Sequence, residues 1–337
     1  MGGSRIRGAD RSLLATSNLL TAVAAVLVVG GGALIAGMAE DDTGSEAEVQ
    51  SVDPMPRGVH LSWVDDPQTT MTATWFTDGT DPGTVVQWAA TCGDLSDEAT
   101  RSSTNGTAST LTRKPDVHVH EATMTGFSPG ESFAYRVGSF EGGFSPCYET
   151  STAPDEGPVD IALYGDQGLG ESAEAVHDRV KANDPDMVLI AGDLAYGEND
   201  PQVWDDWFAM NEDIFAETPV MSSPGNHETY ADASPPTASY EERLAQPGEE
   251  LYYSFDFVNA HFLVLMSETP DATGRGYFQD MVEFAEQDLS EAYEAKKAGE
   301  IDHIFVIQHH PLYSNTQRAG RWVDAEMASW EEQLFHR

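Results

Sequence analysis

Between Pro54 and Thr152, apolar and polar residues alternate in short runs split by turn-forming residues. Examples are Val59-His60-Leu61-Ser62-Trp63, Met71-Thr72-Ala73-Thr74-Trp75, Val85-Val86-Gln87-Trp88 and Phe133-Ala134-Tyr135-Arg136-Val137. A period of two is the mark of strands with one buried face, so residues 54–153 are predicted to form an all-β sandwich. After Pro154 the pattern changes to apolar runs of strand length alternating with amphipathic helical segments, which predicts an α/β domain over residues 158–337. Its clearest helix is predicted from about Tyr277 to Ala298, where Phe278, Met281, Val282, Ala285, Leu289, Ala292 and Tyr293 follow the helical spacing and Gly299 supplies the stop. The fold class is therefore two domains, a β-sandwich followed by an α/β layer fold.

Upstream, Arg5, Arg7 and Arg11 precede an uncharged stretch from Leu19 to Ala39. Residues 1–39 are predicted to be a signal peptide or an N-terminal membrane anchor, the apolar stretch being just long enough to cross ~30 Å of hydrocarbon. Cleavage after Gly37-Met38-Ala39 and retention are both open. Either way the bulk of the chain is expected to face outward, secreted or held on the outer face of the cell membrane. Residues 40–53 are acidic, small and polar, and are predicted to be a solvated linker.

Charge narrows the partners. The chain carries 57 acidic against 17 basic residues, a net charge of −40, and its only lysines are Lys114, Lys181, Lys296 and Lys297. Such a surface repels a phosphate backbone, which excludes nucleic acid and anionic membrane surfaces as partners, apart from the possible N-terminal anchor. Self-repulsion on this scale is tolerable where the Debye length shrinks to ~3 Å at ~1 M salt, so a protein of concentrated salt is expected, the alternative being an acidic extracellular protein of ordinary habitat. Two cysteines, Cys92 and Cys147, both fall in the sandwich; an outward location permits a disulfide between them, and two buried thiols are the alternative.

Four segments share one grammar, an apolar run ending abruptly in residues able to bind a metal. Ile161-Ala162-Leu163-Tyr164 leads to Gly165-Asp166, Met187-Val188-Leu189-Ile190 to Gly192-Asp193 with Tyr196 beyond, Pro219-Val220-Met221 to Gly225-Asn226-His227-Glu228, and Ile304-Phe305-Val306-Ile307 to His309-His310-Pro311. Ligand sites in open α/β sheets lie beyond the carboxyl ends of the strands, so these tips can converge on one crevice. Hard oxygen donors with imidazole suit iron, manganese or zinc. A carboxylate such as Asp193 can bridge two ions ~3.5–4 Å apart, which together clamp a phosphoryl group. Bound cations also answer the charge problem, since they alone make the local field attractive to a phosphate ester.

Gly165-Asp166-Gln167-Gly168, Gly192-Asp193-Leu194-Ala195-Tyr196, Gly225-Asn226-His227-Glu228 and His309-His310-Pro311-Leu312-Tyr313 together resemble the ordered motifs of the purple acid phosphatases, within the metallophosphoesterase superfamily. The likeness runs from Pro54 onward. It implies a fibronectin type III-like sandwich before the catalytic domain, and phosphomonoester hydrolysis by a dinuclear centre. By the same resemblance Asp166, Asp193 and Tyr196 hold a ferric ion. Asp193 bridges to a divalent ion (zinc, manganese or iron) that also takes Asn226 and His309, and Asn226 and His227 contact the phosphate.

The resemblance also implies a Gly-His-x-His motif that this sequence lacks: after His310 the only histidine is His336, and Ser314 to Met327 contain none to act as leaving-group acid. The α/β domain is therefore expected to be incomplete at its C-terminus, and the alternative is an exported binding or scaffold protein with a catalytically dead domain. Other features take bland readings. His118 and His120 are expected in surface or packing roles rather than as a zinc pair, and His310 as a packed or supporting residue rather than a ligand. Trp204, Trp207 and Phe208 are expected in a core. Glu283, Glu286, Asp288 and Glu291, like Asp200, Asp205 and Asp206, are expected on solvated faces.

Overall fold

The computed structural model describes residues 6–8, 54–229, 235–248, 250–268, 277–311 and 330. The apolar stretch 19–39, the linker 40–53, the segment 314–327 and His336 lie outside the described residues. Among the described residues, no helix is long and apolar enough to cross a membrane.

One short strand stands at the start, β1 (Ile6–Gly8). The sandwich strands then follow: β2 (Arg57–Ser62), β3 (Thr70–Asp78), β4 (Val85–Ala89), β5 (Ser102–Asn105), β6 (Thr107–Leu111), β7 (Lys114–Thr125), β8 (Ser132–Ser139), β9 (Gly143–Phe144) and β10 (Tyr148–Ser151). They form one sheet in the order β2-β3-β7-β6 and a second in the order β10-β8-β4-β5, with β9 paired to β8. Val59, Leu61, Met71, Ala73 and Trp75 of the first sheet pack on Val86, Phe133, Tyr135 and Val137 of the second. Cys92 and Cys147 are joined by a disulfide that ties the β4 exit to the β10 entry.

The α/β part begins with β11 (Ile161–Tyr164), α1 (Glu171–Asn183), β12 (Met187–Ala191), α2 (Pro201–Phe215), β13 (Val220–Ser223) and α3 (Ala238–Glu241). It continues with β14 (Tyr253–Phe257), β15 (Ala260–Val264), α4 (Tyr277–Ala298) and β16 (His303–Ile307). β11-β12-β13 is a parallel sheet, and β1-β14-β15-β16 is a mixed one in which β15 and β16 run parallel. Crossover helices between parallel strands put all the carboxyl ends of a sheet on one side.

The two parts are packed as one body. Phe208 of α2 lies 5.0 Å from Phe76 and 4.6 Å from His60, ring to ring. Backbone groups cross the junction too: Ser62 Oγ donates to Ala245 O at 2.6 Å, and Tyr135 Oη to Ala216 O at 2.6 Å. This explains why β3 is buried on both faces although its composition alternates. The outer face of the sandwich is the floor on which α2 sits.

Three expectations are corrected. Asp205 is no solvated carboxylate: it lies at the junction and holds Arg57 (3.1 Å) and Lys114 (2.7 Å) from the sandwich. Asp288 is 2% exposed. It accepts from Ser254 Oγ and His261 Nε2, each at 2.7 Å, while His261 Nδ1 meets Asp256 Oδ1 at 2.7 Å. Position 288 is one heptad beyond the buried Met281, so helical phase carries it inward and a far-off histidine compensates its charge. Conversely Tyr293, placed on the apolar stripe, is exposed. Beside these, Ile6–Gly8, at the charged start of the expected targeting segment, pairs antiparallel with β14; an open sheet edge offers backbone groups to any short extended stretch.

The His261 cluster has a measurable consequence. Burial opposes its charge, but the Asp256 and Asp288 carboxylates outweigh that and push the imidazole up to about 9. A raised histidine contributes stability that is complete below its unfolded value near ~6.5 and lost as pH rises through about 9. A shift of that size corresponds to roughly 3 kcal/mol. Chemical denaturation at pH 6 and pH 10 is expected to show the wild type losing stability on the alkaline side, and His261→Gln losing that dependence.

Candidate metal centre

Each strand tip turns sharply to present its side chain. Asp166 (φ 54°), Asp193 (φ 53°) and Tyr196 (φ 56°) all sit in the left-handed region that residues with a Cβ avoid. Glycine gives the remaining room. A Cβ on Gly192 (φ +76°) would lie 2.6 Å from His309 Cβ, and one on Gly225 would lie 2.4 Å from the Asp193 backbone nitrogen. The loops therefore close on one another only with glycine at both places.

The side chains meet beyond the carboxyl ends of β11, β12, β13 and β16. One ligand atom each from Asp166, Asp193 and His309 lie within 4.8 Å of one another. Tyr196 Oη donates to Asp166 Oδ1 at 3.0 Å, so the phenol stands against the same carboxylate. His309 Nε2 lies 3.2 Å from Asn226 Oδ1 and 3.4 Å from Asp193 Oδ2. All five sequence-predicted ligands are brought together. His227 joins them, its backbone N–H donating to Asp193 Oδ1 at 2.9 Å and its Nε2 lying 3.8 Å from Asp193 Oδ2.

The donor set fits a cation. His309 Nδ1–H donates to Ala191 O at 2.8 Å, which fixes the ring and turns Nε2 toward the oxygens of Asn226 and Asp193. That is how metal-binding histidines are oriented. The cluster also attracts positive charge: burial opposes a charged His309, yet the Asp193 contact pushes the imidazole up to about 9. Burial likewise works against the Asp193 carboxylate, but hydrogen bonds from His309 and the His227 backbone hold its carboxyl below the usual range. Tyr196 is pushed up by burial and by its bond to Asp166, a shift that a cation beside the phenol would reverse.

Several supporting residues carried no role in the sequence reading. Glu228, 2% exposed, accepts from the backbone N–H groups of Gly225 (2.8 Å), Asp193 (2.8 Å) and Leu194 (3.0 Å), so one carboxylate pins two ligand loops. Glu198 takes the Nδ1 side of His227, whose ring lies 4.2 Å from that of Tyr196, tilted by 52°. Gln167 accepts from Trp207 Nε1 at 2.8 Å and donates to Asn211 at 3.0 Å, anchoring the β11 loop to α2. Glu268 stands 3.1 Å from His310 Nδ1. Only Glu228 had a sequence signal, its place directly after Asn226-His227.

The bland readings of two other features agree with the structure. His120 is buried between the hydroxyls of Thr77 and Thr84, 2.7 Å each, and stacks on Trp75 at 5.2 Å. Burial pushes it down to about 4, so it is a neutral packing residue. Trp204, Trp207 and Phe208 are fully enclosed in the core.

Residues 56–152 match the purple acid phosphatase N-terminal domain, and residues 116–334, more than half of the chain, match the calcineurin-like phosphoesterase family. The chain belongs to the calcineurin-like phosphoesterase family, on its purple acid phosphatase branch. Similar to this chain are "Purple acid phosphatase 21" of Arabidopsis thaliana, 29% identical over 65% of the chain and 49% of the relative, and "Acid phosphatase type 7" of Mus musculus, 30% identical over 77% and 59%. A purple acid phosphatase from yellow lupin seeds superposes with a TM-score of 0.67 at 19% identity, over 81% of this chain and 55% of that one, which establishes the shared fold. The chain thus spans about half the length of the relatives it matches. The purple acid phosphatase family uses a dinuclear metal centre.

Proposed function

We propose that this phosphoesterase hydrolyses phosphoric monoesters at a dinuclear metal centre, acting as an acid phosphatase. The observation that carries the reading is the meeting of Asp166, Asp193 and His309 within one ligand sphere, with Tyr196 and Asn226 against them. Asp166, Asp193 and Tyr196 would hold a ferric ion. Asp193 would bridge to a divalent ion, zinc, manganese or iron, shared with Asn226 and His309. When bound, such a pair supplies Lewis acidity: it offsets the charge on phosphoryl oxygens and lowers the pKa of water.

The chain's own residues do the rest. Asp193, carboxylate-forming at ordinary pH and fixed by the His227 backbone, keeps the two halves of the centre in register. His227, held at Nδ1 by Glu198 and tilted against Tyr196, presents Nε2 beside Asp193 to bind a phosphoryl oxygen. The left-handed backbone at Asp166, Asp193 and Tyr196 favours a working site over a disused one, because each such residue is strained by about 1–3 kcal/mol with no gain in packing to offset it. We also place the protein outside the cytoplasm, a reading that the Cys92–Cys147 disulfide supports.

The test is metal analysis and p-nitrophenyl phosphate turnover on the purified chain in molar salt. Two ions per chain, turnover favoured at acidic pH, and loss of both on chelation are expected. Transfer to ~0.1 M salt should lower activity as the Debye length grows to ~10 Å around a chain of net charge −40. A metal-free chain that hydrolyses no phosphate ester under any of these conditions overturns the reading.

A further inference from the structure

We propose that Asn105 is a site of N-linked glycosylation, with the inner sugars of the glycan seated in a groove beside Phe140. The inference goes beyond the phosphoesterase reading and rests on the placement outside the cytoplasm made above. Asn105-Gly106-Thr107 is the only Asn-x-Ser or Asn-x-Thr triplet in the sequence. Such a triplet, with a middle residue other than proline, is the acceptor for N-linked sugar, provided that it is held at the surface of an exported protein. The structure meets that condition. The triplet runs from the end of β5 to the start of β6, where the chain crosses from one sheet of the sandwich to the other, and both Asn105 and Thr107 are exposed. Neither the Asn105 carboxamide nor the Thr107 hydroxyl has a hydrogen-bond partner among the described residues. Gly106, by contrast, is explained by the fold, because a Cβ there would lie 1.9 Å from Glu121 O of β7. The crossing demands the glycine and gives its two neighbours no structural duty.

A groove of about 520 Å³ opens at the same place, with Asp81, Pro82, Asn105, Ala108, Phe140 and Glu141 in its walls. Phe140 is 74% exposed, yet its ring is braced: it meets Phe144 edge to face at 5.6 Å, and Phe144 lies against the Arg136 guanidinium at 4.7 Å. The hairpin tip that carries it is pressed on the 81–84 loop, since a Cβ on Gly142 would lie 2.7 Å from Pro82 Cβ. A sugar ring offers C–H groups on its faces and hydroxyls around its rim. It therefore suits a wall that combines an aromatic ring with carboxylate acceptors, here Phe140 with Asp81 and Glu141. The modification is a glycosyl transfer from a lipid-linked sugar phosphate. A bond forms between Asn105 Nδ2 and the anomeric carbon, and the bond from that carbon to the phosphate oxygen breaks. The lipid phosphate leaves with the electron pair, and one amide proton passes to a base of the transferase.

The experiment produces the full chain in the cells it comes from, as wild type and as Asn105→Gln, Thr107→Ala, Thr107→Ser, Phe140→Ala and the Asn105→Gln/Phe140→Ala double variant. Recovery from the medium, or cleavage by protease added to intact cells, reads export. Mass spectrometry of the peptide containing Asn105 reads modification, and scanning calorimetry reads the seat of the glycan. The wild-type peptide is expected to carry a glycan mass that Asn105→Gln and Thr107→Ala both lose and Thr107→Ser keeps, its hydroxyl being retained. Asn105→Gln should lower the unfolding midpoint by about 1–2 °C. Phe140→Ala should keep the glycan mass, and Asn105→Gln should cost nothing further in that background. An exported chain whose Asn105 peptide is bare overturns this inference and leaves the placement outside the cytoplasm standing. A chain found only inside the cell overturns both. A glycan on Asn105 whose contribution to the midpoint survives Phe140→Ala overturns the groove as its seat.

Discussion

Asp193→Ala is expected to reduce p-nitrophenyl phosphate turnover by at least about 10³-fold, with the protein still folded. The scale is that of removing one group that stabilises developing charge in an enclosed site. Asp193 faces both halves of the cluster at once: Oδ2 stands 3.4 Å from His309 Nε2, and Oδ1 receives the His227 backbone N–H. Truncation therefore removes the proposed bridge and frees the loop that carries His227. The loss should appear in kcat and in metal content together, falling from two ions per chain to one or none. Near-ultraviolet circular dichroism should stay close to wild type, because the strands behind the loop pack through Val188 and Ile190 rather than through the carboxylate. Turnover that survives the substitution would sink the dinuclear mechanism.

What could be read from the sequence, and what could not, divides along a physical line. The strand tips were legible because each announces itself in contiguous residues: an apolar run of strand length, a glycine, then a donor. Parallel strands with crossover helices put their ends on one side, so Asp166, Asp193, Asn226 and His309 could be gathered without coordinates. The helix at 277–298 was legible for the same local reason, its spacing and its terminal Gly299.

The supporting residues were hidden because their partners are distant in the chain. Asp288 looks like a surface acid until His261, on another element, is brought against it. Asp205 looks the same until the sandwich delivers Arg57 and Lys114. Residue type pointed to solvent at both places while fold-level pairing put them inside. The choice between His309 and His310 came from resemblance alone. The structure supplies a physical discriminator, since only His309 has Nδ1 fixed on a backbone carbonyl with Nε2 against Asp193. The strand at Ile6–Gly8 left no pattern, three residues being too few to show a period of two.

Glu228→Gln is expected to have the largest effect on stability and metal binding of any change outside the ligands. The carboxylate is buried and satisfies three backbone N–H groups, two through Oε2 and one through Oε1. Glutamine matches its shape but turns one oxygen into an NH₂, so at least one N–H of Gly225, Asp193 or Leu194 must face another donor. A buried donor left unmade costs about 1–3 kcal/mol, and donor against donor adds repulsion, so a loss of roughly 2–4 kcal/mol is expected. Thermal unfolding should fall by roughly 3–6 °C for a chain of this size. The same substitution loosens the turns that hold Asp193 and Asn226, and metal affinity should drop about 10- to 100-fold, as for other partners that orient ligands. Isothermal titration with zinc or manganese on the metal-free variant separates the two effects at a temperature where it remains folded. If stability falls and affinity does not, Glu228 merely stabilises the loops. If both fall together, ligand geometry and the fold's own stability share this one buried carboxylate.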